Sequence, residues 1–369
     1  MRTRKAFVTT ALLCSAILVA GCSQETDADR SDKADAKETG SVEDASADAP
    51  VPFDSDEPVK IALVQNSGAG DYFQQWTNGA RQQAEAIGME MQVYDAQADN
   101  ARQATDMQTA IGSGVAGIVV DHGQTATMCP LINDAIDAGI PVVIYDVEIS
   151  ECAPKALETA QNDADLAGLI LDKMQEDIAE GAPVGYVNVL GIAPLDRRHA
   201  VWDEVRKEMD WKREFFVGEF TNAVATDNAR LVDAALKAHP DVKAIFAPYD
   251  ELTKGTVSAV RQNNLQKEIR VYGVDISTAD IEVMTAEDSP WVATATTDPN
   301  AIGAAVIRAM ALELASEVDD REMVFPGTLV TQDFLKENEI QNMDELRKSL
   351  PELNMTEVAT AEWIPVISF

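Results

Sequence analysis

Polar and charged residues follow the carboxyl ends of the predicted strands in this chain. Ligands of open parallel sheets bind just beyond those ends. Carboxylate, guanidinium and amide groups there would engage paired hydroxyls, while Tyr and Phe rings stack on C–H surfaces. One Asp at a strand end often caps the next helix, so the recurrence carries the inference. The set predicts a site for a neutral polyhydroxylated ligand: Asn66, Asp121, His122, Asp146, Arg198, Tyr249, Asp250, Asp275 and Thr297.

Other site chemistries lack their motifs in this sequence. The three histidines, His122, His199 and His239, are scattered without zinc-binding spacing. The glycine-containing segment 67–70 has Phe73 where a third glycine would stand, and no Gly-Lys-Ser or Gly-Lys-Thr follows it. A nucleophile, base and orienting group do not occur together in a known motif. We therefore expect no enzymatic activity, no metal and no cofactor.

Short apolar runs alternate with helical patterns and would position these side chains. Strands this apolar, each separated by a helix, indicate parallel sheets covered on both faces. The sequence predicts an α/β fold of two doubly wound lobes. Predicted strands are 59–65, 89–94, 117–120, 140–145, 184–190, 215–220, 244–247, 271–274 and 292–295. Predicted helices are 72–87, one through Met107 and Ile111, 127–138, 166–179, 196–210, 227–238, 251–263 and 301–314.

The first 22 residues indicate the compartment in which the protein works. A basic start leads into an apolar run, and Leu18 to Ala20 and Gly21 precede Cys22. This is the order and length of a secretory signal, and its end resembles the lipobox of bacterial lipoproteins. We expect residues 1–21 to be removed and Cys22 to carry lipid, which would place the protein outside the cytoplasm on the cell membrane. An ordinary signal peptide with an incidental cysteine is the alternative.

The segment behind Cys22 is acidic and poor in apolar residues up to Pro58. Such a composition cannot bury enough surface to offset its ordering entropy, so 22–58 is expected to be a flexible tether. The whole chain has a formal net charge of −34, which excludes nucleic-acid partners that need clustered Lys and Arg. Membrane attachment would then come from the lipid.

Two cysteines remain after the signal and the lipidation site are assigned. Cys129 and Cys152 are disulfide candidates in an exported protein, with two independent buried thiols as the alternative.

An ordered set of short segments gives the chain a family resemblance. It resembles the ribose- and galactose-type solute-binding lipoproteins of sugar ABC transporters, over roughly 59–334. The segments are Lys60-Ile61-Ala62-Leu63-Val64, Tyr72-Phe73, Gly79-Ala80, Ala84-Glu85, Asp95-Ala96-Gln97-Ala98-Asp99, Ala138-Gly139-Ile140-Pro141-Val142, His239-Pro240-Asp241-Val242, Asp250-Glu251 and Val271-Tyr272-Gly273-Val274-Asp275.

The resemblance implies the class I periplasmic-binding fold, in which a three-stranded hinge joins two lobes that close over one sugar. It assigns 59–160 with about 299–325 to the N-terminal lobe, and about 161–298 with 326–340 to the C-terminal lobe. Residues 341–369 are then a C-terminal extension. The partners implied are a small sugar or polyol and an ABC permease, and we expect a monomer. A sugar-sensing receptor subunit that docks on a transmembrane sensor is the alternative.

The resemblance also assigns residue roles. Asp146 and Asp275 match the family's sugar-binding aspartates, Arg198 matches its arginine before an aromatic, and Tyr72 with Phe73 matches its stacking pair. Three positions depart from the ribose-type pattern, namely Val147, Tyr249 and the hinge residue Thr297, and the first loop, 67–71, lacks the family's usual Asn-Pro. The departures favour a ligand other than ribose, such as another pentose, a hexose, a sugar alcohol or a cyclitol.

Overall fold

The computed structural model describes residues 38 to 369. Its strands are β1 (Ser41–Glu43), β2 (Val59–Gln65), β3 (Met89–Asp95), β4 (Gly117–Asp121), β5 (Val142–Tyr145), β6 (Leu157–Gln161), β7 (Pro183–Val187), β8 (Lys212–Val217), β9 (Ala244–Ala247), β10 (Arg270–Val274), β11 (Trp291–Thr296), β12 (Glu322–Phe325), β13 (Thr328–Thr331) and β14 (Val366–Ser368). Its helices are α1 (Asp71–Ile87), α2 (Asn100–Gly112), α3 (Thr125–Asp137), α4 (Asp163–Asp177), α5 (Ala193–Glu208), α6 (Val224–Ala238), α7 (Asp250–Gln262), α8 (Thr278–Thr285), α9 (Pro299–Leu314), α10 (Gln332–Glu337) and α11 (Met343–Ser349), followed by a 3₁₀ helix, Pro351–Asn354.

Two six-stranded sheets form the two lobes. The N-terminal sheet has the order β12-β6-β5-β4-β2-β3, and the C-terminal sheet has the order β13-β11-β10-β9-β7-β8. Neighbours in both sheets run parallel, except that β13 pairs antiparallel with β11. The predicted α/β fold with parallel-sheet lobes is confirmed.

Three crossings connect the lobes. The chain passes from β6 to α4, returns from β11 to α9, and passes again from β12 to β13. The sequence patterns missed β6, β12 and β13, which carry or flank these crossings. Strand β6 has the sequence Leu-Glu-Thr-Ala-Gln and alternates buried with half-buried residues, so it lacks the apolar run of the central strands. The hinge was thus the least predictable part of the sheets.

Local sequence explains where the main elements begin and end. Strand β2 is buried at all positions except Lys60, as expected for a central parallel strand. Helix α1 ends at Gly88, whose φ of 84° is the left-handed conformation that glycine adopts without steric cost. Helix α2 begins after Asp99, whose carboxylate accepts hydrogen bonds from the amides of Ala101 and Arg102. These signals set the elements that present the strand-end residues.

Glycines allow helices α1 and α9 to pack closely. A Cβ atom on Gly79 would lie 1.9 Å from the carbonyl oxygen of Asn300, and one on Gly303 would lie 2.1 Å from that of Trp76. Any larger residue at either position would push the helices apart. Helix α9 is thereby fixed against the N-terminal lobe directly after its crossing.

The second part of the expected tether packs on the folded body. Strand β1 pairs antiparallel with β14, the amide of Ser46 donates to the carbonyl of Glu362 over 2.8 Å, and Phe53 stacks on Trp363. The flexible tether expected through Pro58 is therefore wrong for 38–58. Its composition is acidic, but its backbone finds a partner strand in the C-terminal extension. Cys22 and the signal peptide lie outside the described residues.

Cys129 of α3 and Cys152 are joined by a disulfide. The bond connects α3 to the loop after β5, inside the N-terminal lobe. Within residues 38 to 369, none of the helices has the length and apolarity required to cross a membrane.

Candidate ligand-binding site

A cavity of about 380 Å³ lies between the two lobes. Its walls come from positions just beyond strand ends in both sheets. Asn66 follows β2, His122 follows β4, Tyr249 lies beyond β9 and Asp275 follows β10. Of the candidates named from the sequence, the structure brings these to the cavity: Asn66, Tyr72, Phe73, His122, Arg198, Tyr249 and Asp275. Asp121, Asp146, Asp250 and Thr297 lie outside its lining.

Arg198 is the buried cation of the cavity. Its Nε donates to Asp163 Oδ1 over 2.7 Å and its Nη1 to the carbonyl of Pro248 over 2.7 Å. Nη1 also lies 3.7 Å from Asp275 Oδ2. Burial raises the pKa of Asp275 to about 6, although the Arg198 charge opposes the rise. Two hydrogen bonds therefore fix the guanidinium in place, beside a carboxyl group whose pKa is raised by burial.

Asp146 stands behind the cavity wall. Its Oδ1 accepts a 2.6 Å hydrogen bond from Arg197 Nη2, while its Oδ2 lies 4.0 Å from His122 Nε2. Arg197 also donates to Asp163 over 2.7 Å, so one guanidinium joins carboxylates of both lobes. Asp146 is not among the residues that line the cavity, and Arg197, 51 residues away, binds its Oδ1. Its Oδ2 has no hydrogen-bond partner among the described residues, so the sugar-binding role of Asp146 stays a prediction.

His122 lines the cavity, and its imidazole ring contacts the Asp121 carboxylate. The two side chains are 2.6 Å apart at Nδ1 and Oδ1. Burial lowers the pKa of His122, but the Asp121 carboxylate raises it more, and the net change is upward. Asp121 therefore orients His122 from behind and does not line the cavity itself. His122 adopts a left-handed backbone with φ of 55°, which turns it out of the strand direction.

Aromatic rings form one wall of the cavity. Phe73 packs edge-on against His122 at 5.1 Å and against Tyr249 at 6.3 Å between ring centroids. Tyr72 lies beside Phe73, and its hydroxyl bonds that of Tyr145. Burial raises the pKa of Tyr72 and of Tyr249 well above the ordinary value, so both stay neutral hydrogen-bonding groups.

Two buried atoms at the cavity have no hydrogen-bond partner among the described residues. They are the hydroxyl oxygen of Tyr249 and Oδ1 of Asp275. Both residues line the cavity, and Tyr249 is 6% and Asp275 3% exposed. An unpartnered buried polar atom costs about 1–3 kcal/mol, so a ligand hydroxyl that reached either atom after a small side-chain rearrangement would gain a hydrogen bond. The pair thus has the hydrogen-bonding capacity that a polyhydroxylated ligand requires.

Thr297 and Asp250 serve other contacts. The Thr297 hydroxyl donates to Gln161 Oε1 over 2.7 Å and so ties two lobe crossings together. Asp250 is fully buried and faces the Lys254 ammonium at 3.6 Å. Asp71, Asp250 and Glu251 come close enough to hold a cation, but Lys254 Nζ lies 2.6 Å from Asp71 and 2.7 Å from Glu251. The ammonium occupies the place a metal would take.

Sequence reasoning missed several residues of the site. Gln161 lines the cavity from the overlooked β6, and Asn100 lines it while accepting from Asn66 Nδ2 over 3.0 Å. Asp163 was missed because it opens a helix, where an acidic residue is ordinary. Apolar residues after β7 and β8 also line the cavity, and only their position at strand ends could have indicated them.

Comparison with known proteins agrees with this architecture. A family model described as a periplasmic binding protein domain matches residues 61–317. The ribose import binding protein of Bacillus subtilis (strain 168) is 25% identical over 219 residues, covering 58% of this chain and 69% of that protein. The D-apiose import binding protein of Paraburkholderia graminis is 25% identical over 222 residues, with coverage of 58% and 69%.

Solved structures match over more of the chain. A 5-methylthioribose transporter solute-binding protein from Thermotoga lettingae TMO, in complex with 5-methylthioribose, is 36% identical with a TM-score of 0.81. It covers 83% of this chain and 97% of its own. A sugar ABC transporter protein from Yersinia enterocolitica is 26% identical with a TM-score of 0.82, covering 86% and 97%. The family resemblance drawn from the sequence is confirmed: the chain belongs to the periplasmic binding protein family, among the non-enzymatic solute-binding proteins of sugar ABC transporters.

Proposed function

We propose that this protein is a monomeric, lipid-anchored solute-binding protein that captures one small neutral sugar between its lobes and delivers it to a membrane permease. The observation that carries the proposal is the pair of unpartnered buried atoms, Tyr249 Oη and Asp275 Oδ1, in a cavity between the lobes. A sugar hydroxyl donates to the carboxylate and exchanges a hydrogen bond with the phenol. A ligand that bridges both lobes stabilises their closed arrangement.

The charges of the cavity support a neutral ligand. Arg198 already has Asp163 at 2.7 Å and Asp275 at 3.7 Å, and His122 has Asp121 at 2.6 Å, so protein carboxylates balance the basic groups that line the cavity. Among the described residues that line the cavity, Arg198 is the only lysine or arginine. Phe73 and Tyr249 add ring surfaces that suit the C–H faces of a sugar.

The solved neighbour at 36% identity suggests the first ligand to test. That protein is described in complex with 5-methylthioribose, and we propose the same compound, a pentose, as the leading candidate here. Ribose and apiose, named for the curated relatives, are the comparison ligands.

Isothermal titration of the purified protein with these three pentoses tests the proposal. We expect at least one to bind with one-to-one stoichiometry. Asp275→Asn should weaken binding by roughly 10- to 150-fold, as for loss of a charged acceptor, and Tyr249→Phe by roughly 2- to 12-fold. The absence of binding by every pentose, hexose and polyol tried would refute the sugar-binding proposal.

Two control variants match these substitutions. Tyr186→Phe removes an equally buried, unpartnered tyrosine hydroxyl outside the cavity lining. Asp210→Asn changes an exposed aspartate whose φ of 50° is left-handed, like the φ of 73° at Asp275. Both controls should keep the affinity of the unaltered protein. Equal losses in the controls and the site variants would show that the cavity is not the binding site.

The anchor is a separate part of the proposal and rests on the sequence up to Cys22. We expect Cys22→Ser to move the protein from the membrane fraction into the soluble extracytoplasmic fraction of cells, and to stop incorporation of labelled fatty acid. Cys152→Ser is the control and should remain in the membrane fraction. Persistent membrane association and labelling of the Cys22 variant would rule out this anchor.

A further inference from the structure

The cavity combines polar groups with an apolar wall. The wall comprises Val189, Leu190, Ile192 and Phe220, which all line the cavity. Leu190 is 52% exposed, and with its three neighbours it gives the cavity an apolar surface that a ligand can cover. None of these four side chains has a donor or an acceptor for a hydroxyl.

The sheet order separates this wall from the polar groups. Residues 189–192 follow β7, and Phe220 lies just beyond β8, the edge strand. Tyr249 and Asp275 lie beyond β9 and β10, in the middle of the same sheet. A ligand whose hydroxyls reach the central strands therefore has the apolar wall toward the β8 edge.

The loop that carries the wall is held in place by the protein itself. The backbone N–H of Gly191 donates to both carboxylate oxygens of Asp196, over 3.0 and 3.1 Å. The amide of Glu219, between the two wall segments, donates to Asn228 Oδ1 over 3.0 Å. These two backbone donors are thus engaged with protein groups. The Glu219 side chain also lines the cavity and is exposed.

From these observations we infer that the ligand is a pentose bearing a neutral, apolar substituent in place of a terminal hydroxyl, which packs on Val189, Leu190, Ile192 and Phe220. The inference rests on the proposed sugar-binding function and names its substrate class. A terminal hydroxyl on this wall would lose its water without a replacement hydrogen bond. A phosphate there would find no lysine or arginine among the described residues of the cavity except the paired Arg198.

Titration with three probes tests the inference, namely 5-methylthioribose, ribose and ribose 5-phosphate. The apolar probe should bind tighter than ribose by roughly 10- to 200-fold, the range that small apolar groups contribute in apolar pockets. Ribose 5-phosphate should bind weakest. Ribose or its phosphate binding as tightly as 5-methylthioribose would overturn the inference while leaving a sugar-binding protein. Failure of all sugars would overturn the proposed function itself.

Two substitutions, combined in one double variant, test whether the apolar wall produces the preference for the apolar probe. Val189→Thr and Leu190→Asn keep the number and branching of side-chain heavy atoms at partly and largely exposed positions, so the fold should survive. We expect the double variant to weaken 5-methylthioribose binding at least tenfold and to change ribose binding less than twofold. Val324→Thr, at a 47% exposed valine outside the cavity, should change neither. Equal weakening of both sugars by the double variant would contradict the inference.

Discussion

Two ion clusters, one at a lobe crossing and one beside the cavity, differ in how well their charges are balanced. At a lobe crossing, Arg347 binds the crossing residue Asp298 and lies 2.7 Å from Glu38. Beside the cavity, Lys254 faces four carboxylates, at 2.6 Å (Asp71), 2.7 Å (Glu251), 3.5 Å (Asp280) and 3.6 Å (Asp250). Asp71 belongs to α1 of the N-terminal lobe, and the other groups of this cluster belong to the C-terminal lobe.

The two clusters therefore suit different tasks. Each guanidinium nitrogen of Arg347 has an acidic partner, and Asn300 supports Glu38 with a 2.9 Å hydrogen bond. By contrast, Asp250 Oδ2 and both Asp280 oxygens have no hydrogen-bond partner among the described residues. Burial raises the pKa of Asp280 to about 7 and that of Asp250 well above its usual range. The Arg347 cluster holds the crossing in place. The net charge of the Lys254 cluster, by contrast, changes as its carboxyl groups gain or lose protons.

The largest expected effect is at the Arg347 cluster. Arg347→Met leaves Asp298, which is fully buried, without its cation, so the free energy of unfolding should fall by about 3–5 kcal/mol. Chemical denaturation measures the loss. Arg230→Met, which breaks an exposed ion pair with Asp227, is the control and should change stability by less than about 1 kcal/mol. A loss no larger than the control would show that Arg347 does not hold the crossing.

Lys254→Met should cost less, by about 1–3 kcal/mol at pH 8, because Asp250 and Asp280 can take up protons in place of the lost cation. For the same reason the cost should shrink at pH 5. Denaturation at both pH values measures it, with Lys237→Met, at an exposed pair with Asp233, as the control. A cost independent of pH would contradict the view that this cluster exchanges protons.

The raised pKa of Asp280 also gives the unaltered protein a pH dependence. A carboxyl whose folded pKa exceeds the unfolded value of 3.8 stabilises the fold most when protonated. Its contribution is fully present below about pH 4 and is lost as pH rises through about 7. We expect Asp280→Asn to flatten the stability profile between about pH 4 and 7 relative to the unaltered protein. An unchanged slope would place the titration elsewhere.

The smallest stability effect is expected at the edge of the Arg347 cluster. Glu38→Gln keeps a hydrogen-bonding oxygen for Asn300 and leaves Asp298 on Arg347, so the loss should be about 1 kcal/mol. Thermal unfolding measures this loss, and Glu43→Gln, at an exposed residue of β1, is the control. A loss as large as that of Arg347→Met would mean that Glu38, not Asp298, is the essential partner.

The sequence predicted the fold well where its signals are local. Apolar runs identified the central strands, such as 59–65, and glycines marked helix ends, as at Gly88. It failed for β6 and for the strand at residues 41–43, where polar residues alternate with apolar ones or dominate. Those strands form because a neighbouring strand offers hydrogen bonds, and that neighbour is distant in sequence. The composition of a segment does not indicate which distant strand it will pair with.

The sequence also predicted only part of the candidate site. Residues that end central strands, such as Asn66, His122 and Asp275, reach the cavity because parallel strands present their carboxyl ends at one edge. Asp146 and Asp250 also end or follow strands, yet they face Arg197 and Lys254. Strand position placed each side chain near the cleft but did not decide which partner it would take.

The sequence by itself determined the fold class, the parallel order of local units and the edge at which polar groups gather. These follow from periodicity and chain geometry, which are properties of neighbouring residues. Only the tertiary structure decided which carboxylates line the cavity and which are neutralised, and that residues 41–43 pair with the strand at 366–368. Those outcomes depend on contacts between distant segments, formed when the two lobes and both chain ends pack together.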